Sequence, residues 1–461
     1  MKVATLLPLL LSLATLSQAG NGSLPFSPPI DATDAPDLYQ DQLTRDSEVL
    51  YAGGYLGERL EKRATDAELY GAQTTPPAPV FRYGVGTTKV RGVSLGGWLV
   101  LESFITPSMF KGIDPRIVDE WTFGQHQTKA VAQTALMRHW TTWITEADFA
   151  AIAAAGLNHV RIPIGYWAFQ VATGEPFVQG SLFFLDRAIA WAAKYNLKVM
   201  IDLHGAPGGQ NGFDNSGRAG VLKWTTTYNQ QRTRNVLQTI SAEYAKLKYR
   251  NVVTAIQVIN EPAGYYAGVP EIVRKFYTSA YGIIRRHGTK HPNSILFTMS
   301  DAFMGMDYWA GFMSGPGYTD VAFDIHQYST FDTTKIAFNN TQRIAYQCSL
   351  GVKIARSEKR IRTIVGEWTI APTDCVGGGP LYSRIGNCAG KTGDSTQWSK
   401  AYKIWLRKFY EVQTQVYEQG SGWIMWTWRL ESGDDWSYSA GLRGGWIPRV
   451  PTRKLYGDQC A

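Results

Sequence analysis

From Val90 onward the chain alternates short β-branched runs with stretches whose apolar residues recur every three or four positions. That alternation is the mark of repeated βα units and a parallel sheet. The runs Val90–Leu95, His159–Ile164, Lys198–Leu203, Val253–Ile259, Ser294–Met299, Val321–His326, Thr363–Gly366 and Trp423–Trp428 predict eight strands. Between them, Thr145–Ala155, Leu182–Tyr195, Gln230–Lys248, Glu271–His287, Thr341–Ser357 and Trp398–Gln419 carry helical spacing. Eight strands with intervening helices predict one α/β domain, a closed (β/α)8 TIM barrel with long loops over its C-terminal face. The rival, an open doubly wound sheet, needs a phosphate-cradling turn after an early strand. The one glycine-rich candidate, Gly205–Gly217, lacks the Lys-Ser/Thr ending and the following helix.

Chemistry in such barrels sits where strands give way to loops. Polar residues fall there: Arg161 near the end of the second strand, His204 after the third, Asn260 and Glu261 after the fourth, His326 and Tyr328 after the sixth, Glu367 after the seventh and Trp428 at the end of the eighth. Strands four and seven face each other across a barrel mouth, so Glu261 and Glu367 form a candidate catalytic pair. Glycoside cleavage with retention needs a protonated carboxylic acid and an ionised carboxylate about 5 to 5.5 Å apart. Glu261 is assigned as general acid/base and Glu367 as nucleophile. Asn260 is placed to bond a sugar 2-hydroxyl, Arg161 to keep the nucleophile ionised, and Tyr328 to donate a hydrogen bond to it. His204 and His326 read as sugar-hydroxyl partners, because three convergent ligands at metal spacing are not evident.

The ends of the 461-residue chain add a compartment. Lys2, the apolar run Leu6–Ser17 and Gln18-Ala19-Gly20 predict a signal peptide over residues 1–19, too short to span a bilayer. Residues 20–63 are acidic and broken by Pro25, Pro28, Pro29 and Pro36, which predicts a pro-segment ending at the dibasic Lys62-Arg63. Residues 64–461 then form the catalytic domain. No apolar tail follows Lys454, which argues against a GPI anchor. The formal net charge of +8 is scattered; its longest basic cluster, Lys353–Arg362, reads as a solvated helix face without a nucleic-acid motif. Four cysteines, all from Cys348 onward, suit two disulfides with three possible pairings. Neither HExxH nor CxxC occurs, so no metal or cofactor is expected. Asn21-Gly22-Ser23 and Asn339-Asn340-Thr341 are glycosylation acceptors, and only Asn339 remains in the mature chain. A monomer is expected, free of membrane and nucleic acid.

Seven motifs stand in one order: RGVSLGGWLVLE (91–102), HVRIPIGYWAF (159–169), DLHGAPGGQNGFDNSG (202–217), INEP (259–262), HQY (326–328), VGEW (365–368) and WTW (426–428). Together they resemble the fungal exo-β-1,3-glucanases of glycoside hydrolase family 5 across nearly the whole predicted mature chain. The resemblance implies retention, release of terminal glucose from β-1,3-glucan and no cofactor. It implies Arg161, His204, Asn260, His326, Tyr328 and Trp428 as the shell around the sugar at the cleavage point, with Glu102, Asp214 and Asn215 as further hydroxyl partners. Phe213 and Phe331 resemble an aromatic clamp at the pocket entrance. It also pairs Cys375 with Cys388, which leaves Cys348 with Cys460. The chain departs from the pattern at Ser94, usually Asn, and at Gly209, usually Ser; both bear on linkage preference rather than on the glutamates. Long segments after several strands, Ser103–Ala130, Gly205–Lys223 and Pro372–Gln397, are expected to rise over the same face and close the cleft into a pocket, with the two Phe facing each other. An endo-acting or β-1,6-preferring glucanase or a transglycosylase on the same scaffold is the alternative. A non-catalytic wall-binding protein has no need for paired carboxylates.

Overall fold

In a computed structural model, the structure describes residues 81, 83, 88–288, 295–376 and 385–461. The signal peptide, the acidic segment with Lys62-Arg63, the Asn21 acceptor, Ser294 and the middle of the Pro372–Gln397 loop lie outside the described residues.

Eight parallel strands close into a barrel in chain order: β1 (Val90–Ser94), β2 (His159–Gly165), β3 (Lys198–Gly205), β4 (Val253–Gln257), β5 (Leu296–Ser300), β6 (Val321–Gln327), β7 (Arg362–Trp368) and β8 (Gly422–Met425). Closure is made by β1 against β8, with Val90 opposite Gly422 and Val93 opposite Met425. Strands buried on both faces read as near-continuous apolar runs, which is why they were visible in the sequence. Strand eight is shorter than expected and ends at Met425, so Trp426–Trp428 belong to the following loop.

Helices return the chain outside the barrel, and several start on a side chain that satisfies the otherwise unpaired first-turn N–H groups. Thr128 accepts from Val131 N ahead of the helix Lys129–Thr142, and Asn339 and Gln342 form a reciprocal capping box ahead of Asn340–Glu358. Between β1 and the expected Thr145–Ala155 helix, two helices went unpredicted, Glu120–Gln125 and Lys129–Thr142, so the Ser103–Ala130 segment is not a plain loop. The expected Gln230–Lys248 helix runs Thr227–Tyr244 and is followed by a separate 3-10 turn at Leu247–Tyr249.

Along each strand, alternate side chains point into the barrel. Val90, Met200, Ala255, Leu296, Ala322, Ile364 and Ile424 form an apolar layer near the strand starts, against which Phe81 and Tyr83 pack. Two residues further up, the inward positions turn polar: Arg161, Asp202, Gln257, Thr298 and Asp324 are all fully buried. The interior therefore runs from an apolar floor to a charged ceiling, and the ceiling is where the loops begin.

Two disulfides fix the C-terminal third. Cys348–Cys460 joins the helix Asn340–Glu358 to the chain end across a separation of 112 residues, and Cys375–Cys388 closes a loop beyond β7. Among the described residues no helix is long and apolar enough to cross a membrane.

Candidate active site

Arg161, on β2, has no exposed surface. Its guanidinium donates from Nε to Gln257 Oε1 (2.9 Å), from Nη1 to Glu367 Oε1 (2.7 Å) and from Nη2 to Asn260 Oδ1 (2.7 Å), and Nη2 also lies 3.1 Å from Asp202 Oδ2. Burial alone would lower its pKa, but the surrounding carboxylates, Asp202 and Glu367 foremost, raise it. A permanent cation is thereby fixed beneath Glu367.

The second oxygen of Glu367 accepts from Tyr328 Oη at 2.9 Å. Gly366, just before it, has to be glycine, since a Cβ there would sit 2.0 Å from Asp324 Oδ1. Glu261 follows β4 with φ +44° and is buried; its Oε1 lies 2.6 Å from His326 Nδ1 and its Oε2 accepts from Asn215 Nδ2 at 3.4 Å. One oxygen of each glutamate and one ring nitrogen of His326 all lie within 4.8 Å of one another.

His326 stands between the carboxylates, with Nδ1 3.5 Å from Glu367 Oε2 and Nε2 3.3 Å from Asp324 Oδ2. Burial would lower this imidazole, but Glu367, Asp324 and Glu261 hold it well above the ordinary range. Its charge reacts on the pair. Burial favours the neutral form of Glu261, and the His326 hydrogen bond outweighs it and lowers the pKa. At Glu367 burial wins over His326 and Arg161, and the pKa is raised.

Of the remaining predicted residues, His204, Glu102, Asp214 and Asn215 each have a buried partner. His204 Nδ1 is 2.6 Å from Asp202 Oδ2, and its ring stacks on Trp426 at 5.4 Å. His204 Nε2 and Asn260 Nδ2 are buried without a protein partner, so each retains hydrogen-bonding capacity for a bound hydroxyl. Glu102 accepts from Gly97 N, and burial together with the neighbouring Asp214 carboxylate raises its pKa well above the usual range. Asp214 accepts from Ser103 Oγ, and Asn211 Nδ2 donates to Asn215 Oδ1.

One expectation needs correction. Trp428 does not join the shell: its Nε1 donates to Asp148 Oδ1 at 2.9 Å and its ring stacks on Tyr438. Trp426 takes that place, against His204 and 5.9 Å from the Arg161 guanidinium. The cause is Thr427, whose hydroxyl donates to Ser94 O and accepts from Gly96 N, drawing the chain across the end of β1. Phe213 and Phe331, the expected clamp, stand in separate ring clusters. Phe213 packs edge-on to Phe303, whereas Phe331, 40% exposed, packs on Tyr328 and Trp436.

Sequence reasoning missed Asp202, Asp324, Gln257 and Trp426. A signal existed for the aspartates: Asp202-Leu203-His204 and Asp324-Ile325-His326 repeat one Asp-x-His pattern on two strands, with both polar residues on the inner face.

Comparison with known proteins places this geometry. The profile described as Cellulase (glycosyl hydrolase family 5) matches residues 124–432. The glucan 1,3-beta-glucosidase of Blumeria graminis is 42% identical over 393 residues, covering 81% of this chain and 89% of its own. The probable glucan 1,3-beta-glucosidase A of Aspergillus niger is 40% identical over 388 residues, covering 81% and 90%. The glucan 1,3-beta-glucosidase of Candida oleophila is 39% identical over 394 residues, covering 81% and 91%. Among solved structures, rutinosidase from Aspergillus niger superposes with a TM-score of 0.63 at 20% identity, covering 78% of this chain and 98% of its own, a likeness of fold.

The His326–Glu261 contact predicts a pH signature in stability. An imidazole raised on folding contributes fully below its unfolded value of about 6.5 and loses that contribution as pH rises through the folded value. A carboxylate lowered on folding contributes fully above about 4.3 and loses it as pH falls through the folded value. The unfolding midpoint of the parent should therefore exceed that of His326→Asn by most between about pH 4.3 and about pH 6.5, and by less on either side. A gap that stays constant with pH would mean that the contact is not ionic.

Proposed function

The chain belongs to glycosyl hydrolase family 5, and on that premise we propose that it is a secreted, retaining exo-β-1,3-glucanase. It releases glucose from the non-reducing end of β-1,3-glucan, outside the cell or in the wall. The observation that carries the mechanism is the pair of glutamates within 4.8 Å of each other, one of them held by Arg161 and Tyr328. That separation suits direct attack and leaves no room for the intervening water of an inverting enzyme, whose carboxylates stand about 6.5–9.5 Å apart.

In the first step Glu367 attacks the anomeric carbon while Glu261 gives its proton to the departing glycosidic oxygen. A covalent glucosyl ester forms and the shortened glucan leaves. In the second step Glu261 takes a proton from water, the hydroxide attacks the same carbon, and Glu367 departs with the β-configuration restored. Turnover needs a proton on Glu261, whereas the free site favours charge there. Passage of the His326 Nδ1 proton along the 2.6 Å contact to Glu261 supplies it without changing the net charge of the site. Asn260, fixed by Arg161 through its carbonyl, offers Nδ2 to the 2-hydroxyl.

The role assignment predicts different losses from two variants. Glu367→Ala should lose nearly all turnover on every substrate. Glu261→Ala should retain aryl glucosides whose leaving group needs no protonation, and azide should rescue it to give a β-configured glucosyl azide. The reverse pattern would exchange the two roles.

Exo action rests on the loops. Gly205–Lys223 is tied to the segment after β1 by Trp121 N to Gly217 O (2.9 Å) and Ala219 N to Asp119 Oδ2 (2.7 Å), and to Glu261 through Asn215. In this reading the strap closes one side of the cleft; Phe213 lies on it, two residues before the Asn215 that bonds Glu261, and Phe331 packs on the Tyr328 that bonds Glu367. Glucose should be the sole early product from laminarin. Replacing both Phe by Ala should weaken binding of laminari-oligosaccharides by on the order of 1 kcal/mol per stacked ring while sparing small aryl glucosides. A ladder of long oligosaccharides at early times would establish endo action instead.

A further inference from the structure

Glu261 is one of six described non-glycine residues with positive φ. It also precedes Pro262, whose ring narrows the backbone choices of the residue before it. A left-handed glutamate persists only where the surroundings over-determine it. Beside the bond from Asn260 N to Leu203 O, the main chain on both sides of Glu261 is held by one residue of the β3 loop, Gln210, which has no exposed surface.

Gln210 holds both flanks of the strained residue. Its Nε2 donates to Asn260 O at 2.9 Å, which sets the plane of the peptide entering Glu261. Its backbone carbonyl accepts from Ala263 N at 3.0 Å, which fixes the chain two residues beyond. The amide is itself braced: Nε2 also donates to His204 O at 2.6 Å, and Oε1 accepts from Ala206 N at 3.0 Å. The same side chain thus ties the main chain of His204 to the main chain that aims Glu261. Gln210 does not reach the reacting atoms, and none of its three side-chain contacts touches the carboxyl itself.

We propose that Gln210 is a positioning residue that aims the Glu261 carboxyl at the glycosidic oxygen by holding its backbone in the left-handed conformation. The inference rests on Glu261 being the general acid. Without the Nε2 donor the Asn260–Glu261 peptide can rotate toward ordinary backbone, and the carboxyl swings off the line of proton transfer. Attack by Glu367 is untouched, because that residue is fixed by Arg161 and Tyr328 from other strands.

The test compares two β-glucosides on the same preparation of each variant: a dinitrophenyl glucoside, whose leaving group needs no acid, and an alkyl glucoside or laminaribiose, whose leaving group does. Taking the ratio of kcat/KM on one preparation cancels any difference in folded fraction. Gln210→Glu and Gln210→Met should lose on the order of 10²-fold on the poor leaving group and less than about 3-fold on the good one, within the range of a general-acid contribution. Equal losses on both substrates would make Gln210 a merely structural residue, and no loss would remove it from the mechanism; either result overturns the proposal. Glu261→Ala run alongside separates the two failures. If that variant also lacks leaving-group dependence, the acid assignment itself falls; if it shows the dependence and the Gln210 variants do not, only the positioning role is lost.

Discussion

A guanidinium cannot stay dry inside a protein unless its charge and its donors are met, and Arg161 meets them by reaching three other parts of the barrel. Gln257 on β4, Asn260 beyond it, Glu367 on β7 and Asp202 on β3 all converge on one side chain from β2. Most of the other polar positions in the upper barrel follow from that arrangement. Asp202, held by Arg161, orients His204; Asn260, held through its carbonyl, has its amide nitrogen left over; Glu367, held from below, is left with Tyr328 and His326 as its remaining neighbours. Breaking such a buried pair by removing one partner typically costs about 3–5 kcal/mol, because the other charge is stranded. The same cation that permits Glu367 to be buried also works against the rise in pKa that burial gives it, so stability and the proposed chemistry are tied at a single atom group.

The pair of histidines distributes this charge. His204 and His326 sit on β3 and β6 in matching Asp-x-His settings, yet they do different work. His204 keeps Nε2 free among buried groups, while His326 uses both nitrogens on carboxylates. His326 is held well above its ordinary pKa by its position between Glu261, Glu367 and Asp324. In the proposed mechanism one imidazole offers Nε2 to the sugar, and the other holds a proton beside Glu261.

Much of this was legible in the sequence. Buried parallel strands reveal themselves as apolar runs, and polar residues at their C-terminal ends stand out against them, which located Glu261, Glu367, Arg161, His204 and His326 together. Trp428 was misread because Trp426 and Trp428 share one parity, and alternation alone assigns both to the same face; the chain leaves the ladder after Met425 and Thr427 redirects it. Gln210 was hidden for another reason. Its role depends on contacts across 50 residues of chain with the Asn260 main chain, and main-chain hydrogen bonds leave no pattern in side-chain periodicity. The helix Lys129–Thr142 escaped because it buries only Ala132, Leu136, His139 and Trp140, too few apolar positions to mark a face.

The most direct measurement is to trap the covalent intermediate. A β-glucosyl fluoride carrying fluorine in place of the 2-hydroxyl reacts quickly in the first step and slowly in the second, so the glucosyl ester accumulates and can be mapped by proteolysis and mass spectrometry. The expected label lies on Glu367, in the peptide containing Val365–Trp368. A label on Glu261, or steady turnover of the fluoride with inversion and no ester at all, would contradict the assignment of Glu367 as the nucleophile that Arg161 holds in place.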